Sequence, residues 1–316
     1  MRHYLFFLLL LYSLSSYSKN IDFFAGNDYQ LSYDECIQVK ENVGKLYIKT
    51  NELFSKLSCS NIDRFKLLLR ENWPGVQINE RATIMYRNYK KNKLLDTPPI
   101  LQEIDNSLFY IRIDHFPKDI SKIITRALND IRNNTYKYLI IDLRNNTGGI
   151  LASVIESSDL FVPARKSIAS VEGRNSNNNL KFTSSRNYYP MNNIKIVTLV
   201  SNKTQSGAEL FLSILKIYTS TMIIGEKTAG VGTVRTVIPL NPDKLLSITS
   251  QEIKGPNNYV IQGKGIIPDI EWPFDYDISN ELDNIHLFEI KDTVEKYFKR
   301  LKRHTLNLKI PNVGEN

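Results

Sequence analysis

The chain has 316 residues, of which 42% are hydrophobic and 23% charged, with a formal net charge of +8. That apolar content over that length supports one large domain or two modest ones and excludes a disordered or fibrous protein. The positive charge is scattered, dense only in "YKKNK" (Tyr89–Lys93) and "EKYFKRLKRH" (Glu295–His304), which reads as solvated faces rather than a nucleic-acid grip.

The opening stretch, "MRHYLFFLLLLYSLSSYS", has a short basic start, an apolar run from Tyr4 to Leu14 and small polar residues before Lys19. It predicts a secretory signal over residues 1–18, too short for a membrane span. No cysteine follows that run, which disfavours a lipid anchor, and no later segment is long and apolar enough to cross a bilayer. The chain is therefore expected to be exported, periplasmic or extracellular once the signal is removed. Cys36 and Cys59 are the two cysteines. An oxidising compartment favours a disulfide between them, the alternative being two buried thiols. Neither has the neighbouring histidine or Gly-rich turn that a catalytic cysteine needs.

From Asn27 to about Asn92 the apolar spacing of "ECIQVKENVGKLYIKTNELFSKL" and the capped "SNIDRFKLLLREN" predict helices, giving a small helical N-terminal domain over 19–94. "LLDTPPI", Leu94 to Ile100, is expected to act as a linker, because two adjacent prolines cannot continue a helix. A core over 95–275 follows. "SLFYIRI" predicts a strand, and "DISKIITRALNDIRNN" a helix that brings Ile120, Ile123, Ile124, Ala127, Leu128 and Ile131 onto one face. "YLIIDLR" then predicts a buried strand, so strand, helix and strand imply a right-handed crossover and a partly parallel sheet.

The pattern repeats with a helix in "GGILASVIESSDLFV", a polar excursion through "EGRNSNNNLKFTSSRN", the strand "IKIVTLV" and a helix beginning near Ser206. "MIIGEK", "VGTVRTVIPL" and "LLSITSQEI" predict further strands. Residues 276–316 close the chain with a basic amphipathic helix, Ile285 to Leu306, expected on the outside.

Two Gly-containing turns, "DLRNNTGG" and "TQSGAE", follow two apolar strands, and in a parallel sheet such turns gather at one carboxyl edge. A serine at a helix start can aim its hydroxyl into a cleft while the next amide, that of Gly207, points the same way as an unpaired helix-terminal donor. Gly148 and Gly149 can bring a second amide close to a substrate carbonyl. The combination suggests acyl transfer with an oxyanion hole. The alternative is that Ser206 or Thr204 caps the helix, a common duty of serine and threonine.

"YLIIDLRNNTGG", "VTLVSNKTQSGAELF", "IIGEKTAGVGTV" and "IQGKGIIPDIEW" together resemble the tail-specific, or carboxy-terminal processing, serine proteases, in the family's order, from Ser107 to about Trp272. The resemblance implies an α/β fold, a crotonase-like mixed sheet with flanking helices. It implies Ser206 as nucleophile, three positions before Glu209, and a lysine as general base. Here Val231 holds the lysine's position and Arg235 that of the glutamine that usually supports it. The chain is also similar to the tricorn core proteases, which use Ser, His and Glu. Gln262 stands where that glutamate would be, and no histidine lies between Lys19 and Leu108.

His115, in "IRIDHFP", and Lys227, in "GEKTAG", are the remaining candidates for a catalytic base, while Lys264 matches a common structural residue. Asp142 and Arg144 are expected to support the site, as is Glu209, rather than to react. The peptide-guiding PDZ module of the family has no room beside the helical N-terminal domain. The implied partners are polypeptides, with no nucleic acid, and no cofactor is expected. Four scattered histidines and the cysteine pair give no metal spacing, and no turn fits a dinucleotide or phosphate-loop fingerprint. The leading expectation is a serine peptidase cleaving unfolded or C-terminal segments. A catalytically silent peptide-binding relative and a scaffold on the same fold are the alternatives.

Overall fold

The computed structural model describes residues 31–47, 54, 56–72, 76–80, 98–134, 136–174, 176–185, 188–191, 193–242, 244–273 and 284–307. The expected signal (1–18), the basic cluster Tyr89–Lys93 and most of the linker, Leu94 to Thr97, lie outside the described residues.

Two helices come first, α1 (Tyr33–Leu46) and α2 (Ile62–Asn72), followed by strand β1 (Val76–Glu80). Ser32 and Glu35 close a reciprocal capping box at the start of α1, and Asn61 Oδ1 accepts the Arg64 N–H at 2.9 Å at the start of α2. The Cys36–Cys59 disulfide ties α1 to the turn before α2, so the pairing expected from sequence is present. The bridge lies in a cluster with Val39, Val43, Phe65 and Leu69 that packs on Leu246 and Ile248.

The core opens with the hairpin β2 (Ile100–Asp105) and β3 (Leu108–Arg112), then α3 (Ile120–Asn133), β4 (Tyr138–Asp142) and α4 (Leu151–Asp159). A second hairpin, β5 (Ser167–Gly173) and β6 (Leu180–Thr183), precedes β7 (Lys195–Val200), α5 (Gly207–Tyr218) and β8 (Met222–Gly225). The chain continues through β9 (Thr233–Pro239), β10 (Lys244–Lys254), the short β11 (Ile270–Glu271) and α6 (Asn284–Asn307). These elements build two sheets. One has the order β11-β8-β7-β4-β3-β2, with every pair parallel except β2 with β3. The other is antiparallel and centred on β10, which pairs with β1 and β5 in succession and with β9 on its other edge.

The six-stranded sheet is covered on both faces, which explains why β4 is apolar at every position but its last. Strand alternation divides it cleanly. Leu139 and Ile141 face α3, α4 and α5, while Tyr138 and Ile140 face α6 through Leu287, Ile290 and Val294. The basic C-terminal helix is thus a full layer of the fold. On the α5 side, Phe211 meets Phe116 at 5.3 Å and Phe161 at 5.7 Å between ring centroids, locking helix to sheet and to the segment after β3.

The α/β architecture expected from sequence, a mixed sheet with flanking helices, is the one found. Four strands lie where the sequence predicts none: β2 directly after the Pro-Pro linker, β5 leading into the polar excursion, β6 within it, and β1 within the span predicted to be helical. β1 and β5 pair with the distant β10, and β2 and β6 are short hairpin arms of mixed polarity, so local periodicity carries little of the signal.

Two features of this packing have measurable consequences. Lys291 of α6 donates to Asp105 Oδ2 at 2.7 Å and to Ser107 Oγ at 2.8 Å, fastening the helix to the β2–β3 turn. Desolvation raises the Asp105 pKa, but hydrogen bonds from Lys291 and Ser107 outweigh it and lower it from 3.8 to about 2. A depressed carboxylate stabilises the fold above its unfolded pKa and loses that contribution as pH falls through the folded one. Wild type is therefore expected to lose stability between pH 3.8 and about 2 more steeply than Asp105→Asn, read as acid-unfolding curves. The disulfide closes a loop over a sequence separation of 23, so Cys36→Ser with Cys59→Ser should cost about 3 kcal/mol in a denaturant melt.

Candidate active site

The carboxyl ends of β4, β7 and β8 bring four loops together. After β4, Asp142 accepts from Arg144 Nε at 2.9 Å and Nη2 at 2.8 Å, and from the Tyr110 hydroxyl at 2.7 Å. Asp142 and Arg144 are 2% and 1% exposed, so this is a buried, forked ion pair. Burial and the Asp142 charge push the Tyr110 phenol far up, keeping it a neutral donor. The pair rigidifies the turn, and the Arg144 carbonyl in turn accepts the Ser201 hydroxyl from the loop after β7.

That loop is stitched to its neighbour throughout. Thr204 Oγ1 donates to the Leu143 carbonyl at 2.8 Å, and Gln205 N–H to the Asn146 carbonyl at 3.0 Å. Asn146 also binds the Ile113 carbonyl through Nδ2 at 2.9 Å and accepts the Gly148 N–H through Oδ1 at 2.8 Å. Thr204 therefore serves the inter-loop contact, and the sequence-level alternative of Thr204 as the helix cap is not what it does here. Asn146 was missed from sequence, where it is one asparagine of "NNT"; its burial is the only signal, and burial is a tertiary property.

Ser206 sits at the head of α5 with φ 57° and ψ −121°, a positive φ that a residue with a Cβ adopts only under strain. It is 1% exposed, and its hydroxyl makes neither a capping bond nor any other hydrogen bond. The capping is done by Glu209, whose Oε2 accepts the Ser206 N–H at 3.0 Å. The same oxygen accepts the Val231 N–H at 2.8 Å, and Oε1 accepts the Gly230 N–H at 2.7 Å and the Thr228 hydroxyl. Burial raises the Glu209 pKa, with these four hydrogen bonds acting against it. The carboxylate fixes the strained serine and ties it to the loop after β8.

The glycine turn closes over the serine. A Cβ built on Gly148, at φ 99°, would stand 3.0 Å from both the Gly207 nitrogen and Ser206 Cβ, and 3.2 Å from Ser206 Oγ. A Cβ on Gly149 would run into the Phe116 backbone at 2.4 Å, so this residue must be glycine for the turn to lie against the segment after β3. Gly207 lies against both, its own added Cβ being 3.5 Å from Gly148 Cα and 3.6 Å from the Gly149 nitrogen. The space in front of the hydroxyl is thus kept open by a missing side chain, and the Gly207 amide of the first helical turn borders it.

The structure brings Ser206, Gly207, Gly148, Gly149 and Glu209 into one site, with Asp142 and Arg144 beneath it. His115 is buried, on the segment between Ile113 and Phe116 that the Asn146 side-chain amide and the Gly148 carbonyl hold against the glycine turn. Lys227 is exposed, although its neighbour Thr228 reaches inward to Glu209, and Lys264 is exposed on the loop before β11. That loop completes the site through Ile266 N–H to Thr228 Oγ1 at 2.7 Å and Gly263 N–H to the Gly230 carbonyl at 2.8 Å. Among the described residues no group of three or more His, Cys, Asp or Glu is arranged to hold a metal ion.

Residues 107–272, more than half of the chain, match the model of peptidase family S41. The chain is 29% identical over 194 residues to a probable CtpA-like serine protease of Staphylococcus aureus strain N315, covering 61% of this chain and 38% of that protein. A protein of the same description from Staphylococcus epidermidis is 28% identical over 160 residues, covering 51% and 32%. The chain therefore spans well under half the length of these relatives. Among solved structures, a photosystem II D1 C-terminal processing protease superposes with a TM-score of 0.61 at 14% identity, covering 77% of this chain and 94% of that one. A lipoprotein from Streptococcus agalactiae gives 0.56 at 20% identity, covering 78% and 94%. These likenesses establish a shared fold.

The open space before Ser206 can be tested directly. Gly148→Ala is expected to slow labelling of Ser206 by a fluorophosphonate at least about tenfold, because the added methyl crowds the hydroxyl at a strained positive φ. A thermal melt run alongside separates blocking from unfolding, and unchanged labelling of a folded variant would refute the assignment.

Proposed function

The chain belongs to peptidase family S41, and from that premise we propose that it is a serine peptidase cleaving unfolded or C-terminal segments of polypeptides through an acyl-enzyme at Ser206. The observation that carries this is the strained, buried serine whose hydroxyl has no hydrogen bond and faces a space kept clear by Gly148. A helix cap would need neither the strain nor the open space.

In this reading Ser206 Oγ attacks the scissile carbonyl and yields its proton to a base. The Gly207 N–H stabilises the oxyanion. Gly148 contributes room, since Asn146 Oδ1 holds its amide, and the second donor is assigned to the Gly149 amide of the same turn. The base returns the proton to the departing amine, and water then releases the acyl group. Val231 cannot take a proton, so the lysine of the resembling family has no substitute at its own position. We assign the base to His115, which is buried on the segment held against the glycine turn. Lys227 is not favoured, because its side chain is exposed to solvent rather than held against the glycine turn.

Export beyond the cytoplasmic membrane belongs to the same proposal. The apolar run from Tyr4 to Leu14 and the Cys36–Cys59 disulfide both support it. Among the described residues no helix is long and apolar enough to cross a membrane.

A second reading, a relative that binds peptides without cleaving them, is favoured by Val231 in the lysine position. Casein digestion distinguishes the two. Wild type is expected to degrade casein, Ser206→Ala and His115→Ala to lose at least about 100-fold of that rate, and Lys227→Ala to retain it. Digestion that survives in Ser206→Ala refutes the nucleophile, and digestion that survives only in His115→Ala moves the base elsewhere. No digestion by any form, with casein still bound, would establish the silent relative.

A further inference from the structure

Arg235 lies on β9, opposite Thr249 of β10, and Ser247 is the β10 residue two positions before Thr249. Strand alternation therefore makes Arg235 and Ser247 neighbours on one side of the antiparallel sheet. Both carry buried polar atoms without a hydrogen-bond partner: Nε and Nη2 of Arg235, and Oγ of Ser247. Among the described residues no carboxylate lies within ion-pair distance of the Arg235 guanidinium. Tyr47, at the end of α1, is the group whose field favours its charge, and burial works against that charge.

The molecule contains a direct comparison. In Arg144 the same two nitrogens, Nε and Nη2, grip the Asp142 carboxylate side-on. Arg235 presents that same edge, equally shielded from water, with no carboxylate of the described chain upon it. A guanidinium fork is matched in geometry and charge to a carboxylate, and burying it unpaired costs several kcal/mol. Arg235 as a whole keeps partial exposure, while Nε and Nη2 themselves are shielded from solvent.

Its position relates it to the nucleophile. The Val231 and Ser206 amides share one oxygen of Glu209, and β9 runs on from Val231 through Thr233. At roughly 3.3 Å per residue, Arg235 is no more than about 13 Å along the chain from Val231, the reach of about four residues of extended peptide.

We propose that Arg235, with Ser247, binds a carboxylate of the peptide substrate a few residues from the bond cleaved at Ser206. The carboxylate comes from a free C-terminus or from an acidic side chain at that distance. This deepens the peptidase reading and rests on it for the peptide nature of the ligand. The binding itself needs no turnover.

The test uses the full chain carrying Ser206→Ala, so that nothing is cleaved, and a degenerate library of short peptides in two forms, free acid and C-terminal amide. Retained peptides are identified by mass spectrometry. The expected result is retention of free-acid peptides at least about tenfold above their amides, reduced to parity by Arg235→Gln. If amides with Asp or Glu near the end are retained equally well, the acidic side chain is a source too. Arg235→Lys, which keeps the charge but loses the fork, should forfeit most of the preference. It also carries the test if Arg235→Gln does not fold, as a thermal melt will tell. Equal retention of all forms, a preference that persists without Arg235, or no retention at all would overturn the proposal. Casein digestion by wild type without any acid preference would remove this inference and leave the peptidase. An Arg235-dependent preference in a protein that digests nothing would do the reverse.

Discussion

The site depends on one buried carboxylate. Glu209 is completely buried and accepts hydrogen bonds from the amides of Ser206, Gly230 and Val231 and from the Thr228 hydroxyl. These donors come from the head of α5 and from the loop after β8, so a single side chain fixes the position of one loop relative to the other. It also explains how Ser206 can hold a backbone conformation worth roughly 1–3 kcal/mol of strain. With its amide bound by a residue one helical turn away, the serine cannot relax into an ordinary cap. The hydroxyl is thereby kept out of the cap, which leaves it for a base and a substrate to engage.

Around that carboxylate the fold supplies rigidity in layers. The buried pair Asp142–Arg144 stiffens the turn after β4, Thr204 and Asn146 bind that turn to the loop after β7, and Thr228 links the loop after β8 to the one before β11. Every one of these bonds joins backbone or side chains at the same edge of the parallel sheet, where the strands end and their polar groups would otherwise be unpaired. Below them the sheet is sealed on one face by α3, α4 and α5 and on the other by α6. The C-terminal helix, whose basic composition suggests a surface appendage, is a structural layer because Leu287, Ile290 and Val294 fall on one side of it.

Much of this was legible in the sequence. The buried parallel strands announce themselves as apolar runs, α3 by its spacing, and the two Gly-containing turns by their position after strands that must end at one edge. The β1, β2, β5 and β6 strands were not legible, since β1 and β5 take their pairing from β10 far along the chain, and β2 and β6 are short arms that alternate weakly and pair only once their neighbours are in place. Thr228 and Asn146 were equally hidden, because a threonine or asparagine in a polar loop looks alike whether it faces water or a buried carbonyl.

The sequence by itself determined the α/β class, the order of the buried parallel strands and the helices between them, the serine at a helix start and the glycines that must accompany it. These follow from local periodicity and from the limited places where serine and glycine have special uses. The tertiary structure decided what those residues do. That Ser206 is strained rather than capping, that Gly148 works by lacking a side chain, that Lys227 points to solvent, and that Arg235 keeps a buried fork without a carboxylate are facts about distances between segments. Such distances are set by how the loops at the sheet edge satisfy one another's polar groups, and no single stretch of sequence contains both members of those pairs.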